Sequence, residues 1–163
     1  MLHLISDILP KGLHRLLYRA GHKLRTYYWR VARPTVHGCA MIAINEAGEV
    51  LLVRPSYGKQ LWQWPGGGVD RDEDVVAAAA REMAEETGLR VRSVRSLGQA
   101  QKLLYGAKNV IHIFAGSAQG RPHCNEREIL SAKWFPMDQL PNRRSIYVDE
   151  YLLNYRNSLK QAA

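Results

Sequence analysis

Residues 67–89 read GGVDRDEDVVAAAAREMAEETGL, which is the most informative stretch of the chain. Within it, Glu82, Glu85 and Glu86 are spaced i, i+3 and i+4, which places three carboxylates on one face of a helix. Carboxylates so close repel one another unless a cation lies between them. Hard ions such as Mg²⁺ bind carboxylate oxygens together with substrate phosphates. The stretch therefore indicates metal-assisted phosphate chemistry.

The residues around these glutamates indicate where the helix begins and ends. Asp70 and Glu73 have the spacing of a capping box, which predicts the start of the helix. Gly88 is placed to end it in a left-handed conformation. We expect the inward face of the helix, opposite the glutamates, to carry Val76, Ala80, Met83 and Thr87.

The whole stretch resembles the Nudix box, whose family consensus is G-x5-E-x7-R-E-U-x-E-E-x-G-U, with U a bulky apolar residue. The fixed positions are matched by Gly67, Glu73, Arg81, Glu82, Met83, Glu85, Glu86, Gly88 and Leu89. By the order of its elements, the resemblance extends from about Val36 to about Leu140. The chain is thus similar to MutT-like Nudix hydrolases, which cleave nucleoside diphosphates linked to another group.

The resemblance implies which residues bind metal and which take part in catalysis. The metal ligands would be the carbonyl of the residue before the box glycine and the box glutamates, here Gly66, Glu82, Glu85 and Glu86. Arg81 would orient box carboxylates through an ion pair with Glu73. The expected cofactor is Mg²⁺, with Mn²⁺ possible, and the catalytic residues would be Arg81, Glu82, Glu85, Glu86 and Glu128.

The general base is the least defined of these roles. In the family it is a box glutamate or an acid in a downstream loop. Glu128 precedes Trp134 by six residues, in the region where MutT-like relatives carry such an acid, and Glu126 is its competitor. The chain also departs from the family at Asp72, where glycine is common, which leaves the geometry of that turn open.

The resemblance says little about the group joined to the diphosphate. Trp62, in the loop before the box, could stack on a base, and Arg54 could contact phosphate. Tyr105 lies sixteen residues beyond Leu89, where a tyrosine is typical of dinucleoside polyphosphate hydrolases. Two alternatives to a nucleotide hydrolase stay open: an RNA 5′-end pyrophosphohydrolase, and a catalytically silent nucleotide-binding regulatory domain.

Composition indicates an ordinary globular protein. The chain has 163 residues, of which 46% are hydrophobic and 23% charged, so one domain with a substantial core is expected. No apolar stretch of about 18 residues predicts a membrane span. Two cysteines are too few for a disulfide scaffold, which favours a reduced, cytoplasmic location.

Positive charge is concentrated at the N-terminus. The net charge is +8, and residues 1–33 contain seven Lys and Arg against one acid, Asp7. Apolar residues recur there at helical intervals, so we predict a basic amphipathic helical arm over residues 1–35 and a Nudix hydrolase domain over residues 36–163. The arm could pack on the core or on a second subunit in a homodimer, bind anionic membrane or nucleic acid, or be a removable presequence.

Strand patterns surround the box on both sides. Apolar, β-branched runs predict strands at Val36–Ile44, Val50–Val53, Val91–Ser96, Gln99–Leu104, Val110–Ala115 and Ile129–Phe135. A final helix is expected around Ile146–Lys160. The predicted fold class is α/β: a Nudix-like α/β/α sandwich with a mixed β-sheet, plus the N-terminal basic helical arm.

Overall fold

The computed structural model describes residue 27, residues 29–124 and residues 128–162. Its strands and helices follow the order β1 (Thr35–Ile44), β2 (Val50–Pro55), α1 (Val75–Thr87), β3 (Arg92–Leu104), β4 (Ala107–Ser117), β5 (Ile129–Phe135) and α2 (Ile146–Ala162). Residues 29–32 form one helical turn before β1. Within the described ranges, no helix is both long enough and apolar enough to cross a membrane.

One mixed five-stranded sheet organises the molecule. The strand order is β3-β4-β1-β2-β5. β1 and β4 pair in parallel, from Thr35 opposite Lys108 to Ile44 opposite Ser117, and the other neighbouring pairs are antiparallel. The parallel pair brings together segments about seventy residues apart, so it places the end of the β3–β4 hairpin beside the start of β1.

The two helices cover opposite faces of this sheet. Successive residues of a strand point to opposite faces, and β1 follows this rule: Met41 belongs to the core beneath α1, and Ile42 to the core beneath α2. Ala78, Ala79 and Met83 of α1 are fully buried. The small alanines let the helix approach the sheet closely. The predicted α/β/α sandwich with a mixed sheet is therefore confirmed.

Some predicted boundaries were wrong. The two strands predicted at Val91–Ser96 and Gln99–Leu104 are one strand, β3, interrupted by an irregularity at Ser96–Gly98. Gly98 has φ +99°, a conformation that absorbs the extra residue without breaking the strand. The N-cap of α1 is Asp74, not Asp70, and its side chain accepts hydrogen bonds from the first free backbone N–H groups.

The predicted inward face of α1 was also partly wrong. Met83 and Thr87 are buried as expected, but Val76 is 39% exposed. Glu86 is also buried, although the inward face was predicted to lie opposite the glutamates. The run of alanines hid the true orientation, because four consecutive small residues carry no periodicity.

Nearly all of the predicted N-terminal arm lies outside the described residues. Its first 26 residues and residue 28 are among these. The described part is the helical turn at residues 29–32, after which Arg33 has φ +46° and β1 begins at Thr35.

Candidate active site

The glycine loop before α1 runs directly alongside β1. The backbone N–H of Cys39 donates to the carbonyl of Gly67 at 2.9 Å, and that of Met41 donates to Pro65 at 2.8 Å. Gly66 has φ +151°, and a Cβ there would overlap the carbonyl oxygen of Cys39. Only glycine fits this close approach, so the loop is fixed against the sheet.

A tight turn then leads into α1. The backbone N–H of Asp70 donates to Glu73 Oε2 at 2.9 Å, which is one of the two hydrogen bonds of the predicted capping box. The box lies just before the helix, because the N-cap residue is Asp74. Asp72 adopts φ +64°. Glycine adopts this left-handed conformation most readily, and aspartate is among the residues that tolerate it.

Arg81 connects the turn with the glutamates. Its Nε and Nη2 atoms donate to the two carboxylate oxygens of Glu73 at 2.8 and 2.9 Å. Nη1 donates to Glu82 at 2.9 Å and lies 3.4 Å from Glu85 Oε2. This guanidinium lowers the pKa of Glu73 to about 2. Such paired hydrogen bonds fix the side chain as well as attract it.

Glu86 is the most buried carboxylate of the site. Its side chain accepts the backbone N–H of Gly66 at 2.9 Å, and the residue is only 7% exposed. Burial raises its pKa to about 8, and the charges of Glu82 and Glu128 act in the same direction. A negative charge at this position is unfavourable without a cation nearby.

The Glu82 carboxylate occupies space that is open because Gly67 has no side chain. A Cβ on Gly67 would lie 2.5 Å from the carboxyl carbon of Glu82. The Glu82 side chain is 17% exposed, and burial raises its pKa, an effect that Arg81 opposes. By contrast, Glu85 is 42% exposed and faces solvent.

Glu128 approaches the box glutamates from the start of β5. Its charge raises the pKa of both Glu82 and Glu86, which shows that the downstream acid lies near them. The backbone N–H of Ser56 donates to the carbonyl of Glu128 at 2.7 Å, which holds this segment against the end of β2. The competing candidate, Glu126, lies outside the described residues.

The donor set fits a hard divalent cation. In the described part of the chain, no three Asp, Glu, His or Cys side chains are already grouped so that they could hold a metal ion. Arg81 donates to Glu82, and the Gly66 amide donates to Glu86. The fit rests instead on Glu86, a buried carboxylate whose charge is disfavoured by burial and by neighbouring acids. Carboxylate and carbonyl oxygens are the ligands that Mg²⁺ and Mn²⁺ accept.

Two of the three residues predicted to contact substrate, Arg54 and Trp62, lie next to each other. The Arg54 guanidinium carbon lies 5.7 Å from the centre of the Trp62 ring. Arg54 Nε is buried and has no hydrogen-bond partner among the described residues. Tyr105 lies elsewhere, in the turn between β3 and β4.

Sequence reasoning missed Cys39. Its Sγ lies 3.7 Å from the carbonyl oxygen of Gly67, and burial raises its pKa to about 11. The charges of Glu82, Arg81 and Glu73 also act on this pKa, and the contact with Gly67 places Cys39 against the box loop. A single cysteine within a strand gives no signal of this position in the sequence.

Comparison with known proteins defines the class. Residues 34–153 match the NUDIX domain family, so the chain belongs to the Nudix family, as predicted. It is 33% identical over 113 residues to a putative 8-oxo-dGTP diphosphatase of Bacillus subtilis, covering 66% of this chain and 74% of that protein. It is 34% identical over 110 residues to a Streptomyces rubellomurinus CMP-5'-(N-acetyl-N-hydroxy-3-aminopropyl)phosphonate hydrolase, covering 63% of this chain and 52% of that protein.

A solved structure shares the fold. The MutT NUDIX hydrolase from Burkholderia pseudomallei superposes with a TM-score of 0.67 at 24% identity, covering 74% of this chain and 97% of that one. The chain thus spans nearly the whole length of this neighbour, but only about half that of the Streptomyces relative.

Proposed function

We propose that the chain hydrolyses the diphosphate linkage of a nucleoside diphosphate joined to another group. The observation that carries the proposal is the buried carboxylate of Glu86, held against the Gly66 amide with Glu82 and Glu128 close by. The similarity to named hydrolases in the Nudix family supports it. A divalent cation would be held by Gly66 O, Glu82, Glu85 and Glu86, with Mg²⁺ as the first candidate and Mn²⁺ as the second.

The residues of the chain have separable tasks in this reaction. A bound cation would withdraw charge from the phosphate oxygens and make a water molecule more acidic. Arg81, held by both oxygens of Glu73, would keep the Glu82 carboxylate in position. Glu128 would accept a proton from the attacking water, with a box glutamate as the alternative base.

Substrate binding would use the loop that precedes the box. Arg54 is only partly buried, and its guanidinium would donate to a phosphate oxygen. Trp62, beside Arg54, offers a ring on which a base could stack. For Tyr105, a substrate contact stays a prediction.

The test is the substitution Glu86→Gln, with Glu46→Gln as the matched control on an exposed loop. A panel of nucleoside di- and triphosphates, sugar nucleotides, dinucleotides and capped RNA would be assayed with Mg²⁺. We expect turnover to fall more than about a hundredfold in Glu86→Gln, beyond the usual effect of losing a group that only supports a metal ligand. Mg²⁺ should raise the Tm of the control but not of Glu86→Gln. If the unmodified chain left every compound of the panel uncleaved, the result would contradict the proposal and favour a silent nucleotide-binding domain.

The RNA alternative has one observation in its favour. Residues 8–45 and 87–125 together contain thirteen Lys and Arg and no Asp or Glu, a distribution that suits a polyanion. RNA cleavage should then weaken steeply with salt, whereas cleavage of a small nucleotide should not. A cytoplasmic location and a homodimer stay predictions.

A further inference from the structure

The end of the β3–β4 hairpin carries apolar side chains that face solvent. Leu103 is 82% exposed, and Tyr105, in the turn, is 43% exposed. Tyr27 and Val31, one helical turn apart before β1, are 68% and 70% exposed. These four residues are called the hairpin-end surface below. Four exposed aliphatic or aromatic side chains at one end of a molecule suggest a binding surface.

Direct contacts join the two segments that form this surface. A Cβ on Gly106, in the hairpin turn, would lie 3.3 Å from the carbonyl oxygen of Trp29 and 3.4 Å from Arg30 Cα. The backbone N–H of Lys108 donates to the carbonyl of Pro34 at 3.0 Å. The helical turn at residues 29–32 therefore rests on the hairpin, and the two present their side chains at the same end of the sheet.

Exposed positive charges flank these apolar side chains. Lys108 is the cross-strand partner of Leu103, and Arg30 and Arg33 lie in and just after the helical turn. Lys102, one residue before Leu103, is paired with Glu150 of α2 at 2.7 Å. Arg30, Arg33 and Lys108 are exposed beside the apolar side chains. By contrast, residues 46–86 contain nine acids and four bases.

We propose that the hairpin-end surface binds the face of a lipid bilayer that contains anionic phospholipids. Leu103, Val31 and the tyrosines would enter the boundary between headgroups and acyl chains, and the flanking cations would lie at the headgroup phosphates. The bilayer supplies both an apolar layer and negative charge, which is the combination that this surface presents. The basic N-terminal arm precedes the same surface in the chain and would add to the attraction.

Other occupants fit this surface less well. A second copy of the chain would bring two sets of Arg30, Arg33 and Lys108 together, and like charges in contact oppose association. Nucleic acid would satisfy the cations and could stack bases on Tyr27 and Tyr105, but it would leave the exposed aliphatic side chains of Leu103 and Val31 without an apolar environment.

The experiment is co-sedimentation of the full chain with vesicles. Vesicles of phosphatidylglycerol and phosphatidylcholine would be compared with vesicles of phosphatidylcholine alone. We expect binding to the anionic vesicles only, weakening as salt is added. Leu103→Asp should lower the apparent affinity by about tenfold or more, because one buried Leu side chain contributes on the order of 1.5–3 kcal/mol.

Leu153→Asp is the matched control. Leu153 is 58% exposed and lies on α2 beside Met137 and Arg156, near β5 at the opposite edge of the sheet from β3. It should bind vesicles like the unmodified chain, and both variants should keep the turnover of a soluble substrate. Leu103→Ser, a milder change, covers the case in which Leu103→Asp does not fold, and should also weaken binding.

The proposal would be overturned if folded Leu103 variants bound anionic vesicles as well as the unmodified chain does. It would also be overturned if the chain bound neutral vesicles as well as anionic ones, or if it bound RNA and not vesicles. A Leu103-dependent dimer that does not sediment with vesicles would assign the surface to self-association instead.

Discussion

Gly66 in the box loop and Gly106 at the hairpin end both have positive φ, but their surroundings differ. A side chain on Gly66 would overlap the backbone of β1, whereas one on Gly106 would only press on the helical turn at residues 29–32. The charges differ as well: residues 46–86 hold nine acids, and residues 87–125 hold none. One sheet thus supports a crowded acidic site and an open basic end.

The difference shows what clustered carboxylates require. Glu73 and Glu86 lie thirteen residues apart, yet the pKa of one is lowered to about 2 and that of the other is raised to about 8. A bidentate arginine explains the first shift, and burial explains the second. Two carboxylates keep such different surroundings only if the backbone between them is held in place. The hydrogen bonds between the glycine loop and β1 hold it there.

The largest expected effect is on stability, from Gly66→Ala. The new Cβ meets backbone atoms that cannot rotate away, and φ stays in a region that favours glycine. We expect the free energy of unfolding in urea to fall by about 3 kcal/mol or more. Gly106→Ala is the matched comparison and should cost about 1 kcal/mol, because its closest contacts can shift slightly. Equal losses would mean that crowding does not distinguish the two regions.

Gly67→Ala should separate activity from stability. Its Cβ would lie 2.5 Å from the end of the Glu82 side chain, which can rotate away. Stability should therefore change by less than about 1 kcal/mol. Turnover should fall by about a hundredfold, because the displaced carboxylate no longer faces the substrate correctly.

Gly68→Ala is the control for that change. An added Cβ on Gly68 meets nothing within 4 Å, so both urea midpoint and kcat should stay near those of the unmodified chain. Loss of activity in Gly68→Ala equal to that in Gly67→Ala would show that the loop backbone, and not the position of Glu82, sets the rate.

Local signals made much of the acidic region predictable from sequence. Gly88 ends α1 with φ +69°, as expected, because a helix stop depends on adjacent residues. The metal and catalytic roles of Glu82, Glu85 and Glu86 stay predictions that follow from their spacing and from the family. The burial of Glu86 was missed, since it depends on how α1 turns on the sheet.

Features that depend on tertiary contacts were harder to predict from the sequence. The approach of Glu128 to Glu82 depends on the antiparallel pairing of β2 with β5, which no short window of sequence encodes. The place of Cys39 beneath Gly67 depends on the same kind of tertiary contact. The hairpin-end surface was hidden as well, because the exposure of Leu103 follows from where the sheet ends.

The smallest expected effect is at Asp72, whose φ of +64° is left-handed and whose side chain is 93% exposed. A left-handed conformation costs residues other than glycine roughly 1 kcal/mol, and aspartate somewhat less. Because glycine also loses more chain entropy on folding, we expect Asp72→Gly to stabilise the protein by only about 0.5 kcal/mol. Asp72→Ala should destabilise it, since alanine lacks the local hydrogen bonding that lets aspartate tolerate this conformation. Urea unfolding of both variants measures the difference. If Asp72→Gly proved less stable than Asp72→Ala, backbone conformation would not set the stability of this turn. A contact of the side chain at position 72 would then have to explain the difference.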